Sequence, residues 1–93
     1  MTRAGGGRTQ NSAGAQRGLW RLMLKLPAMR GRLQIMAARS DRFDDLFEAY
    51  DEASYTLEAL RRKTDEDQAM IFEYATICSE IEGEIISHVL NDR

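Results

Sequence analysis

Between Phe43 and Leu60 the apolar residues Phe43, Leu46, Tyr50, Ala53, Leu57 and Leu60 recur at alternating spacings of three and four, and after a polar break the spacing resumes through Ile71, Tyr74, Cys78, Ile81 and Ile85. This is the pattern of two helices that each bury one stripe. The break itself is punctuated like a helix end and a helix start. Arg61, Arg62 and Lys63 stand where they complement the negative pole of the first helix, and Thr64-Asp65-Glu66-Asp67 offers a cap with an acid three residues on. A connection this short forces antiparallel neighbours. The chain is therefore expected to be all-α, with an acidic helical hairpin over residues 40–93. Its helices are expected at about 41–62 and 65–90, the first capped by Ser40 with Asp41 and Asp44 in its opening turn.

The residues before Ser40 read differently. Residues 1–18 are rich in Gly, Ser, Gln, Asn and Arg with almost nothing to bury, the composition of a disordered basic tail. Residues 19–39 mix apolar clusters with single cations, and Pro27 divides them into one or two short helices. With Arg21 and Lys25 inside it, the apolar stretch is too short and too charged to span a membrane. The acid-free, Arg-rich start also has the composition of an organellar transit peptide, the minor reading. Met23, Met29 and Met36 each offer an alternative start that would make the residues before it an artefact of gene calling.

Charge divides at the same place. Residues 1–40 hold eight basic side chains and no acid, and residues 41–93 hold five basic and fifteen acidic ones, so segments of +8 and −10 hide inside a net charge of −2. An acidic hairpin beside the basic segment disfavours direct nucleic-acid binding by the chain.

A chain of 93 residues has a modest core, and such cores usually need a disulfide, a metal or association with other protein. One cysteine, Cys78, and one histidine, His88, provide neither an internal disulfide nor a ligand set of metal-binding spacing. No metal and no cofactor are expected. The lone thiol within an apolar run suits a reducing cytoplasm. No nucleophile–base arrangement, phosphate-binding glycine loop or zinc-protease motif is present, and the paired acids read as solvated helix surface, so the chain reads as a non-enzyme.

The second hairpin helix has more apolar residues than one neighbour can cover. At 100° per residue its apolar side chains sweep roughly 220°, against the stripe of about 100° or more that a facing helix buries. The surplus is expected to meet another protein rather than to be covered by Leu19, Trp20, Leu22 and Leu33 of the chain's own N-terminal segment. The expected partner-binding residues are Phe47, Tyr55, Met70, Phe72, Tyr74, Ile77, Ile81, Glu82, Ile85, Ile86 and Val89. Glu82 lies inside the apolar arc, where a carboxylate needs a cation or water. An edge position with its head in solvent, or an intrachain pair with Arg42 or Arg39, is favoured over a cation from a partner. Gly83 costs the helix about 1 kcal/mol and marks a close helix approach or a bend, or is tolerated by chance. His88, without companions, reads as a packed histidine.

The run Phe43-x-x-Leu46-Phe47-x-x-Tyr50-x-x-Ala53 resembles the first helix of the YdcH-like family of small bacterial helical-hairpin proteins. The resemblance covers about 20 residues and implies a hairpin and no established activity; the acidic Glu80-Ile81-Glu82-Gly83-Glu84 departs from that family's lysine-rich second helix. These readings together point to a bacterial cytoplasmic interaction protein, a homo-oligomer, that binds and sequesters a partner such as a transcription factor, an antiactivator in functional terms. The alternative is a peripheral membrane or scaffold protein anchored by residues 19–36.

Overall fold

The computed structural model describes residues 12–63 and 67–91. They form α1 (Ala13–Lys25), a 3-10 turn (Pro27–Met29), α2 (Arg30–Arg39), α3 (Asp44–Arg62) and α4 (Gln68–Asn91). The described residues form an all-α globule of four helices, and the expectation of a two-helix hairpin with a disordered basic tail and at most short helical pieces before it is corrected. Residues 13–18 of the expected tail are helix, and residues 1–11 lie outside the described residues.

Local chemistry explains each boundary. Ser12 caps α1 by accepting a hydrogen bond from the Ala15 amide at 3.0 Å. Pro27, which has no amide hydrogen, ends α1 and opens the 3-10 turn, as its place in the sequence predicted. Ser40 does not cap α3. Its hydroxyl accepts from the Arg42 amide at 3.1 Å within a bend, and α3 starts three residues later than expected, at Asp44. Asp67 caps α4, its carboxylate accepting from the Met70 amide at 3.3 Å. The cap expected at Thr64 lies outside the described residues.

α3 and α4 pack side by side as the hairpin the periodicity predicted. α1 lies across α3, and α2 turns back to close the base of the hairpin against α4. One core results. Leu22, Leu33, Phe47, Ile85 and Val89 are its largest fully buried side chains, so every helix contributes to it. The apolar arc of α4 is thus met in part by Leu22, Leu33 and Met36 of the N-terminal segment, against the expectation that another protein covers the surplus.

Gly18 makes the α1–α3 crossing. A Cβ built there would sit 1.8 Å from the Phe47 carbonyl oxygen, so only glycine allows the two backbones to approach this closely. A residue that composition assigns to a tail is the tightest point of the fold.

Candidate protein-binding surface

The charge division of the sequence is resolved inside the molecule. Arg17, Arg21 and Lys25 recur every four residues and so share one stripe of α1. Arg17 Nε lies 3.2 Å and Arg21 Nε 2.9 Å from the two oxygens of Asp51, a carboxylate only 5% exposed. Arg21 Nη1 reaches Glu58 at 2.7 Å, and Lys25 Nζ reaches Glu82 on α4 at 2.8 Å. Glu82 is therefore satisfied within the chain, by Lys25 rather than by Arg42 or Arg39. It also accepts the Tyr50 hydroxyl at 2.5 Å. Burial, reinforced by this bond to an acid, pushes the Tyr50 pKa well above the ordinary tyrosine value.

Asp44 is the opposite case. Its Oδ1 is buried without a hydrogen-bond partner, and burial, with Asp41, Asp45 and Glu48 nearby, raises its pKa. Cys78 Sγ lies 3.7 Å from Ser54 Oγ, and His88 packs its ring on Phe43 at 4.9 Å between centroids, with the Arg42 guanidinium over the same Phe43 ring. The first is a weak hydrogen bond, the second a ring contact and the third a cation–π contact. Among the described residues no group of three or more His, Cys, Asp or Glu is placed to hold a metal ion, and no helix is long and apolar enough to cross a membrane.

The expected partner-binding residues separate into three groups. Phe47, Ile85 and Val89 are core, and Glu82 is largely enclosed by Lys25 and Tyr50. Tyr74, Ile77, Ile81 and Ile86 are half-buried. Tyr55 at 61% exposed, Phe72 at 74% and Met70 at 37% face solvent. The distribution along the hairpin is uneven. Among the described residues none between Leu57 and Cys78 is buried, although that stretch includes Leu60, Met70, Ile71, Phe72, Tyr74 and Ile77.

The shape explains why. The Cα atoms span 47 × 36 × 17 Å. Two packed helical layers, at an axis spacing of 8–10 Å and a Cα radius of about 2.3 Å, already take about 13–15 Å. The hairpin can be covered on one face only. On the other face Ala49, Glu52, Ala53 and Thr56 of α3 and Tyr74, Ile77 and Ile81 of α4 line a groove. Ala49, Glu52 and Thr56 were not singled out from the sequence. Their signal was present, since small residues at 49, 53 and 56 leave room beside a helix that carries large ones.

The residues proposed to anchor a membrane are mostly occupied. Leu19, Leu22, Leu33 and Met36 are core, which leaves Trp20, Leu24 and Ile35 exposed. Comparison with protein-family models, curated proteins and solved structures finds no match, and so adds nothing to the YdcH-like resemblance of Phe43–Ala53.

Proposed function

We propose that this chain is a non-enzymatic interaction module, a small regulator that binds and sequesters another protein through the uncovered part of the α3–α4 hairpin. The observation that carries this reading is the absence of any buried residue between Leu57 and Cys78, among those described, in a stretch rich in large apolar side chains. Fully burying one such side chain is worth about 1.5–3 kcal/mol, so a partner that covered Met70, Ile71 and Phe72 would gain a useful fraction of a binding energy. Exposed aromatics such as Tyr55 and Phe72 are the residue types that anchor interfaces. A transcription factor fits this reading, because nucleic-acid-binding surfaces are basic and the outer face of the hairpin carries Glu52, Glu73, Glu80 and Glu84.

The test is a photo-crosslinking amino acid placed at position 72, with position 34 on the exposed side of α2 as control, in cells carrying the native gene. One discrete heterologous adduct from position 72 and none from position 34 supports the reading. Adducts only to a second copy of the chain, or equal adducts from both positions, contradict it.

A further inference from the structure

α1 shows what the hairpin binds. It is an amphipathic helix that buries Ala15, Leu19 and Leu22 and offers Arg17, Arg21 and Lys25 to Asp51, Glu58 and Glu82. The hairpin thus already accepts a cationic amphipathic helix on one face, within the same chain.

The opposite groove repeats that chemistry without an occupant from the described residues. Its floor is apolar, with Ala53, Tyr74, Ile77 and Ile81. Its volume of about 250 Å³ falls below the roughly 300–1,000 Å³ of small-molecule sites and suits the side chains of a docked helix. Its margins are acidic. On α3, Asp45 and Glu52 share a stripe with Ala49 and Thr56, and on α4, Glu73, Glu80 and Glu84 share a stripe with Ile77. Within α3 and α4 neither stripe carries a Lys or Arg; Lys63 follows the α3 stripe just past the helix end.

Resting on the interaction reading above, we infer that the α3–α4 groove opposite α1 docks a cationic amphipathic helix of a partner protein. Charge decides between this occupant and a second copy. Two such grooves face to face bring like-charged margins together, which is unfavourable, whereas a helix with Lys or Arg flanking an apolar stripe meets both margins with opposite charge.

The experiment uses the full chain and a fluorescein-labelled model helix of about 18 residues, five turns, built from Leu and Lys, beside a Leu/Glu counterpart, followed by fluorescence anisotropy. The Leu/Lys helix is expected to bind at low salt and the Leu/Glu helix not to bind. Glu52→Lys combined with Glu84→Lys should weaken binding by about tenfold or more. Asp41→Lys combined with Gln34→Lys and Ala38→Lys, an equal charge change at exposed positions away from the groove, should leave it within about twofold. Ile77→Arg should abolish it, with circular dichroism reporting that this variant stays helical. Equal weakening by both charge variants would reveal non-specific charge attraction and overturn the inference, as would no binding at all. A concentration-dependent dimer in light scattering that Ile77→Arg disperses would assign the groove to a second copy instead. If position 72 captures a heterologous partner and the groove variants leave that capture intact, the interaction reading stands and the groove assignment fails.

Discussion

The two ends of the α3–α4 hairpin are built from similar residues and treated differently by the rest of the chain. At the base, Phe47, Tyr50 and Leu57 face Cys78, Ile85 and Val89, with α1 and α2 closing over them, and all six are buried. Toward the turn, Leu60, Ile71 and Tyr74 have the same spacing and the same kind of side chain, yet none is buried. Helical periodicity is the same at both ends, so it specifies which stripe is apolar and not whether that stripe is covered. Cover at the base depends on α1, and α1 depends on one glycine and a row of cations.

The largest effect is expected at the base. Phe47→Ala should cost about 3–5 kcal/mol, the usual range for emptying a fully buried aromatic site, while Phe72→Ala at the distal end should stay within about 0.5 kcal/mol in the same urea titration. Equal costs would remove the distinction between the two ends. Gly18→Ala comes next, because the new methyl cannot fit against the Phe47 carbonyl and α1 must lift. A loss of about 3 kcal/mol is expected, with near-ultraviolet circular dichroism reporting the loosened packing around the buried Tyr50.

Asp51→Asn should cost about 2 kcal/mol, since it removes the negative charge and replaces one of the two oxygens that accept from Arg17 and Arg21 with an NH2 donor. The deficit should shrink little in high salt, as Asp51 is buried. Tyr50 gives a smaller, pH-dependent effect. Its folded pKa is raised, so the fold favours the neutral phenol. The stability this lends is complete below the unfolded value of about 10 and is lost as pH rises toward the folded value. Thermal melts should show the native chain losing stability above about pH 10 more steeply than Tyr50→Phe; parallel curves would mean that Tyr50 ionises freely. The smallest effect is expected of Asp44→Asn. The raised Asp44 pKa makes its ionisation unfavourable in the fold, so the variant should match the native chain at low pH and exceed it slightly at neutral pH.

The hairpin was legible because long helices repeat their signal: five or six periodic positions per helix outweigh any one boundary residue. Its boundaries were less so, since Ser40 and Thr64 both look like caps, whereas Ser40 holds a bend and Asp67 caps α4. Residues 13–18 of α1 read as tail for a physical reason, while residues 19–25 fall in the short helix expected before Pro27. In those residues the contact stripe is Gly14, Ala15 and Gly18, which register as absent hydrophobicity in composition but as close approach in three dimensions; Leu19 and Leu22 continue it. The small-residue spacing was readable; the partner surface on α3 that gives it meaning was not. The same blindness affected charge. Segments of +8 and −10 look separate in sequence, but Arg17, Arg21 and Lys25 pair with Asp51, Glu58 and Glu82 within the fold. Of the expected binding residues, Tyr55, Met70 and Phe72 face solvent as a partner would require, while Phe47, Ile85 and Val89 were indistinguishable from them in sequence because a helical wheel shows apolarity without showing what lies opposite.

The most direct test is native-state hydrogen exchange of the isolated chain, read residue by residue. Amides of Phe47–Leu57 and Cys78–Val89 are expected to exchange slowest, with α1 protected beside them, and those of residues 60–63 and 68–75 to exchange faster by about two orders of magnitude or more. Protection of residues 68–75 equal to that of 78–89 would show that the distal hairpin is already covered, and would contradict the account.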